Sequence, residues 1–392
     1  MRIAIVGSGR GVYPLDWAAT LALRGHEVRF VTLGEVLTAR GFEVRTRPIP
    51  RNVPQAVRAA REFLRDIRSF RPDVLHVNYA GGRLGTLATL AGVHPLVAAV
   101  VGGDVLPEQH SRGQAWLERR ATRRVLQLAD LILVKNEALR RAVAAQGDFA
   151  GKVELVRWGV DPARFHRDAG AGESLRRELG LAPEDRVVLS PRVLQPLYNV
   201  HLILEAMPRV LAEAPRAVLL VTEYNASADY RRLLEDRAVR LGLGGRVRFV
   251  GRIDHERMPA LYSLAEVVVS VPASDGLPQT LFEAMACGVP VVLGRLPGYA
   301  DVVDDGETVL VTDFDPVAVA AAVIRLFGQP SLARALARNA LERVQQAALL
   351  PREVQRVEGL YRTVAARGPR TRAHRGWLFD ALSLLLRRHP PQ

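Results

Sequence analysis

One cysteine, Cys287, occurs in 392 residues, which excludes an intramolecular disulfide and fits a reducing compartment. Lysine is nearly as scarce. Lys135 and Lys152 are the only two, so the net charge of +13 is carried almost entirely by arginine. Aromatic residues make up 6% of the chain and do not interleave with the basic ones as a base-stacking surface would require. No zinc-finger spacing and no DNA-reading helix pattern is present, which argues against a nucleic-acid partner. The positive charge points instead to other anions: nucleotides, phosphate-bearing lipids or an acidic membrane surface. No apolar run reaches the ~20 residues that cross a bilayer. Met1–Val6 is too short for a signal peptide and reads as a buried first strand. The expected localisation is cytoplasmic, or peripheral on the inner face of a membrane.

What is present is strand–helix alternation. In the amino half, Ile3–Val6, Glu27–Thr32, Val74–Val77, Leu96–Val101, Leu131–Val134 and Val153–Val156 read as buried strands, with helices such as Trp17–Leu23 and Leu117–Leu128 between them. The small, polar segment 168–172 reads as a linker. A second alternating series follows, with strands at Val187–Leu189, Val218–Thr222, Val247–Val250, Val267–Val271 and Val289–Leu293. Its last helices are expected at Pro316–Phe327 and Leu332 to about Ala347. The fold class is α/β: two Rossmann-like, doubly wound parallel-sheet domains, at 1–168 and 173–365, with a tail over 366–392.

The stretch Ala265–Leu293 is the most informative. A β-branched strand ends at Val271, a break runs over Pro272–Gly276, and a helix is expected from Leu277 to about Cys287, with Asp275 as its cap and Pro278 in its first turn. Gly288 stops the helix before the next strand. Open parallel sheets bind ligands at the carboxyl ends of their strands, and a helix beginning there offers N–H groups to an anion. Glu283 lies between Leu281-Phe282 and Ala284-Met285-Ala286, so it is expected to be buried, and a buried carboxylate needs a partner or a ligand. Two plainer readings stay open: Asp275 as a cap only, and Glu283 as a partly exposed helix residue.

The run S-D-G-L-P-Q-T-L-F-E-A-M-A-C-G-V-P-V-V resembles the signature of the retaining glycosyltransferases of family 4, whose fold is GT-B, with two domains facing a cleft. Asp275 and Glu283 have the spacing of the family's two acidic residues, with Asp275 in place of the commoner Glu. The resemblance implies a nucleotide-diphosphate sugar as donor and a glycan or lipid-linked acceptor, with bacterial surface polysaccharide or glycolipid assembly as the usual setting. No cofactor and no catalytic metal are implied. Asp275 would orient donor sugar hydroxyls and Glu283 would hold the ribose. Arg192, in Ser190-Pro191-Arg192, matches the family's diphosphate-binding arginine, and Gly276–Leu277 would offer N–H groups to the same diphosphate. Tyr198 stands where the family has lysine. The turn at Gly251-Arg252 would touch the nucleobase.

In the first domain Gly9-Arg10-Gly11 corresponds to the family's loop toward donor phosphates and acceptor. Asp104, in Val100-Val101-Gly102-Gly103-Asp104, corresponds to an acceptor-side turn in which the family's histidine is missing. The final helix is expected to pack back on the amino domain.

Several other patterns weigh against these. Gly7-Ser8-Gly9-Arg10-Gly11 is a broken dinucleotide fingerprint, because Val12 falls where the third glycine belongs. His76 reads as a strand-end or core residue. Asp315, before Pro316, reads as a helix cap rather than half of a metal-binding Asp-x-Asp. Arg58, Arg61, Arg65 and Arg68 recur at helical spacing, and Arg119, Arg120, Arg123 and Arg124 form a second cluster; each reads as a solvated face or as a contact to lipid phosphate. The alternatives to a transferase are a non-catalytic nucleotide-binding GT-B protein, a nucleotide-sugar epimerase and, least favoured, a nicotinamide oxidoreductase.

Overall fold

The computed structural model describes residues 1–37, 41–106 and 112–367. The described residues form two compact units: Met1–Trp158 together with 351–367, and Gly159–Leu350.

The first unit is built on β1 (Arg2–Val6), β2 (Glu27–Leu33), β3 (Glu43–Arg47), β4 (Val74–Asn78), β5 (Leu96–Ala99), β6 (Leu131–Val134) and β7 (Val153–Leu155). They lie in the order β3-β2-β1-β4-β5-β6-β7, and every pair is parallel. Ile3, Ala4, Ile5 and Val6 are fully buried, as a central strand covered on both faces requires. The chain winds outward from β1 to β3, then returns to β4 on the other side of β1. The order therefore reverses between β1 and β4.

Strand β3 has no apolar pattern and is not legible in the sequence. It is an edge strand of alternating charge, fastened by Arg29–Glu43 at 2.6 Å and Arg47–Asp66 at 2.6 Å. Such charged edges discourage pairing with other chains.

The second unit contains β8 (Arg186–Ser190), β9 (Ala217–Val221), β10 (Val247–Phe249), β11 (Val267–Ser270), β12 (Val291–Gly294) and β13 (Leu310–Thr312). The order is β10-β9-β8-β11-β12-β13, all parallel, with its reversal between β8 and β11. Apolar layers on both faces bury β11 and all of β8 after Arg186.

The segment 168–172 is not a linker. Asp168 caps the helix Ala169–Glu178 by accepting from the Ala171 N–H at 2.9 Å. Gly172 is small because a Cβ there would stand 3.2 Å from the Leu264 backbone nitrogen of the neighbouring helix. The units change over earlier, at 158/159. Gly159 already belongs to the second unit: its carbonyl accepts from the Gln279 side-chain amide, and Val160 bridges Leu349.

Helix Leu350–Arg367 belongs to the first unit from Pro351 on. Its buried Glu358 takes a bidentate hydrogen bond from Arg24 at 2.6 and 2.8 Å and lies 3.0 Å from His26 Nε2. Tyr361 Oη lies 2.6 Å from His76 Nδ1. The sequence-expected tail beyond residue 367 lies outside the described residues.

Candidate functional site

In the second unit, the loops after β8 and β11 meet where the strand order reverses, which is where open parallel sheets expose a ligand crevice. Arg192 comes from the first loop and Asp275 from the second. Arg192 Nη2 donates to Asp275 Oδ2 at 2.5 Å and Nη1 donates to Thr280 Oγ1 at 3.0 Å. Tyr299 Oη also donates to Asp275 Oδ2, at 3.2 Å, and the Leu277 N–H approaches Oδ1 at 3.4 Å. The two charged side chains are 8% and 13% exposed, so the ion pair is largely shielded from water. Burial and the nearby Asp275 carboxylate hold the Tyr299 hydroxyl well above its ordinary pKa of 10, so it stays a donor.

Asp275 is therefore not the helix cap that its position suggests. The helix runs Gln279–Ala286, and its N-cap is Pro278, with no side-chain cap. It starts two residues later than expected because Leu277 precedes a proline, which disfavours helical φ/ψ. Leu277 takes φ +151° instead, an unusual conformation for a buried non-glycine residue. Gly276 and Leu277 consequently lie in the loop and not in the helix's first turn.

Tyr198, in the lysine position, supplies no charge. Its ring lies under the Arg192 guanidinium, 4.7 Å from ring centroid to Cζ. A cation held over an aromatic face is oriented as well as attracted. Burial raises the Tyr198 hydroxyl pKa as well.

Glu283 is 1% exposed, as its apolar neighbours require. Oε1 lies 2.8 Å from His255 Nε2, and Oε2 accepts from Tyr262 Oη at 2.9 Å. Arg164 Nη2 lies 2.5 Å from His255 Nδ1. A guanidinium only donates, so Nδ1 accepts, and the ring proton sits on Nε2 and points at Glu283. A chain of hydrogen bonds, Arg164 to His255 to Glu283, thus fixes the carboxylate. The ribose-holding role implied by the resemblance meets a carboxylate whose two oxygens are already engaged. Thr280, which touches Arg192, and Glu283 are three residues apart on one helix face, so this network adjoins the Arg192 cluster.

Other expected contacts are satisfied from within the chain. The Gly251 N–H donates to Glu223 Oε2 at 2.9 Å, and its carbonyl accepts from the Glu223 N–H at 2.8 Å. The Gly251 N–H is thus engaged, while its carbonyl keeps a second lone pair. The glycine is needed for φ +70°. The Arg252 guanidinium lies 5.8 Å from the Tyr224 ring centroid.

In the first unit, Gly9 is required by close packing: a Cβ there would stand 2.4 Å from the Glu35 carbonyl oxygen. Its N–H goes to Thr32 Oγ1 at 3.2 Å and its carbonyl to the Leu37 N–H at 3.0 Å. The Gly11 N–H closes a turn on Ser8 at 3.0 Å, and Arg10 pairs with Glu35 at 2.8 Å in an exposed position. Gly9 is thus tied to β2 and the segment after it, and the Gly11 N–H to its own turn. Asp104 is likewise a staple. Its carboxylate accepts from the Ala80, Val101 and Gly102 N–H groups at 2.9, 3.1 and 2.9 Å. Burial nevertheless pushes its pKa up, against those three bonds.

His76 is a core residue whose pKa burial lowers to about 4. Asp315 caps helix Pro316–Gly328 through the Ala318 N–H at 2.9 Å. Among the described residues, no cluster of three or more His, Cys, Asp or Glu side chains could hold a metal ion. Burial pushes the Cys287 thiol up to about 12, so it is not a nucleophile. Of the basic stripe on helix Val53–Phe70, Arg68 is tied to the Leu90 and Ala91 carbonyls and Arg58 to Glu62.

Thr280, Tyr299, His255, Arg164 and Tyr262 were not singled out in the sequence. The burial of Glu283 required partners but could not identify them, since they come from 21 to 28 positions upstream.

The fold and site define a protein of two doubly wound units, the second with an arginine–carboxylate pair at its ligand-binding edge. Residues 8–159 match the glycosyl transferase 4-like domain, and residues 172–343 match the glycosyl transferases group 1. The chain belongs to this family of GT-B glycosyltransferases. It is 30% identical over 290 residues to D-inositol 3-phosphate glycosyltransferase 2 of Catenulispora acidiphila, covering 69% of this chain and 66% of that protein. It is 30% identical over 266 residues to the GDP-mannose-dependent alpha-(1-6)-phosphatidylinositol monomannoside mannosyltransferase of Mycolicibacterium smegmatis, covering 64% of this chain. The match spans 66% of each relative's length. Among solved structures, Anabaena HepE in complex with UDP and glucose shares the fold with a TM-score of 0.78 at 20% identity, covering 93% of this chain and all of that one.

Proposed function

We propose that this chain moves a sugar, with retention at the anomeric carbon, from a nucleoside-diphosphate sugar to a glycan or lipid-linked acceptor. The observation that carries the reading is the Arg192–Asp275–Thr280–Tyr299 cluster at the strand-order reversal of the second unit. As the bond from C1 to the leaving diphosphate breaks, negative charge grows on the phosphate oxygens. A guanidinium already oriented by Tyr198 and Thr280 stabilises that charge without reorganising. Asp275, pinned by Arg192 and Tyr299, keeps acceptor lone pairs for donor sugar hydroxyls. No side chain in the cluster is placed as a nucleophile, and the leaving phosphate itself takes the acceptor's proton. Glu283 holds the ribose through the second lone pairs of its oxygens or by exchanging one resident hydrogen bond. His255, with its side chain 15% exposed against a fully buried Tyr262, is the partner that can yield. This reading gives a metal no role, so transfer is expected to persist in EDTA.

The named relatives act on inositol phosphate and phosphatidylinositol mannoside acceptors. Carried to this chain, they support an acceptor of that general kind, reached from the cytoplasmic face of a membrane. A non-catalytic reading is favoured by one observation, Tyr198 in place of a cation. The test is a thermal-shift panel of UDP, GDP and ADP, their sugars and NAD, followed by assay of nucleoside diphosphate release. One nucleotide raising Tm in wild type but not in Arg192→Gln, with acceptor-dependent release, supports transfer. Binding without release supports the non-catalytic reading. Stabilisation by NAD alone sinks both.

A further inference from the structure

The first unit repeats the topology of the second, and its strand order reverses between β1 and β4. The two loops that follow these strands abut: a Cβ on Gly7 would stand 3.3 Å from Asn78 Cβ. The loop after β4 leads into helix Gly82–Thr89, whose first turn carries Arg83. In the second unit the arginine at the reversal point is answered by Asp275. In the first unit no described residue answers Arg83 in the same way. It is half-buried, burial alone pulls its pKa down, and no carboxylate or hydrogen-bond acceptor faces it among the described residues.

Arg29, Arg47, Arg186 and Arg231 are also partly buried, and each is bonded to a carboxylate. Asp104, beside the Gly81 that precedes Arg83's helix, has its oxygens taken by three backbone N–H groups.

Two further features concentrate positive potential here. The N-cap of the helix is Gly81, which has no side chain to accept from the first-turn N–H groups. The Thr122 hydroxyl, 1% exposed and without a hydrogen-bond partner, lies 3.1 Å from the point a Cβ on Gly81 would occupy. A desolvated arginine in the first turn of a helix, with an unused hydroxyl at that helix's N-cap, is a cost to the free fold that a bound oxyanion would remove.

We propose that the reversal point of the first unit is an anion site in which Arg83 and the N-terminus of helix Gly82–Thr89 take a phosphate group, free or borne by a lipid. As the phosphate of the acceptor, it deepens the transferase reading and rests on it; as an anion site it does not.

The test titrates inorganic phosphate into the full chain by calorimetry with UDP or GDP present to occupy the other unit. Wild type, Arg83→Gln, Arg83→Lys and Arg192→Gln are compared. In parallel the proteins are sedimented with phosphatidylcholine vesicles, with and without phosphatidic acid. Saturable phosphate binding, weakened at least tenfold in Arg83→Gln and retained in Arg83→Lys and Arg192→Gln, supports a soluble phosphate ligand. Capture on phosphatidic acid vesicles that depends on Arg83 supports a lipid-borne one. An unlowered Tm in Arg83→Gln agrees with a residue that makes no internal bond. Equal binding by wild type and Arg83→Gln, or binding by neither in either arm, overturns the proposal. Loss of nucleotide binding with Arg83-dependent phosphate binding intact would instead refute only the donor reading.

Discussion

Replacing Asp275 by alanine removes the carboxylate that neutralises Arg192 and accepts from Tyr299. Both members of the ion pair are close to nine-tenths buried, so screening by water does not soften the loss. Breaking a buried pair by deleting one partner costs about 3–5 kcal/mol, because the other charge is left uncompensated. At ~2–4 °C per kcal/mol for a unit of this size, the second unit's melting transition should fall by roughly 6–20 °C. Removing both charges is different. The double variant Asp275→Ala with Arg192→Met buries neither charge and should recover much of the loss, giving a coupling energy of about 2 kcal/mol or more in a double-mutant cycle. Calorimetry of the four proteins measures this directly. The ligand response should invert the stability order. In Asp275→Ala the unneutralised guanidinium should make nucleoside diphosphates raise Tm more than in wild type, and the double variant should show no such rise. If Asp275→Ala melts within a degree or two of wild type, or the coupling is near zero, Arg192 is not held as described and the site argument fails with it.

The first unit should lose stability in mild acid. His76 is buried with its pKa lowered to about 4 from 6.5, so the unfolded chain binds a proton that the folded one refuses. Its stability contribution is therefore present above about pH 6.5 and lost as pH falls toward 4, for a total of about 3 kcal/mol; His76→Gln should flatten that part of the Tm–pH curve. Glu358 works in a lower window. The Arg24 hydrogen bond leads the lowering of its pKa, so its stabilisation is intact above the ordinary carboxylate range and fades below it, and Glu358→Gln should remove that acid limb. Tyr262→Phe strips one hydrogen bond from a buried carboxylate and should cost about 1–3 kcal/mol by denaturant titration, with no change in nucleotide binding beyond that expected from stability. Gly9→Ala places a Cβ 2.4 Å from a backbone oxygen and should destabilise the first unit by about 1–3 kcal/mol; an unchanged Tm would mean that the loop can move aside.

Much of this architecture is written in β-branched runs. The central strands β1, β8 and β11 are each legible because they are buried on both faces, which demands continuous apolar sequence. Strand β3 is not, because an edge strand can be charged on every side, and its pairing is decided by Arg29 and Asp66 elsewhere in the chain. The small residues at 168–172 suggest flexibility but serve close helix packing, a distinction that needs the Leu264 backbone in view. At the site, the types and loops of Arg192, Asp275 and Glu283 are readable, while their partners are not. Asp275 looks like a helix cap by position, and only the conflict between Leu277 and Pro278 moves the helix away from it. Gly251, Gly9 and Asp104 each sit where a ligand could touch, and each also makes hydrogen bonds to a neighbouring segment of the chain, which the sequence does not reveal.

The two strand-order reversals have one topology and different charge arrangements, and this bears on selectivity. Arg192 already holds an internal carboxylate, so a bare phosphate must compete with Asp275 and gains little. A nucleotide sugar offers phosphate oxygens to Arg192 and, at the same time, hydroxyl donors to Asp275, so both halves of the pair keep a partner when it binds. Discrimination of this sort comes from leaving buried polar groups unpaired when the wrong ligand enters. The second unit should therefore prefer the intact nucleotide sugar to the free nucleoside diphosphate, and both to inorganic phosphate. Asp275→Asn, which adds a donor where an acceptor is needed, should narrow the gap between the first two. Equal affinities for all three in wild type would show that the Arg192–Asp275 pair plays no part in choosing the donor.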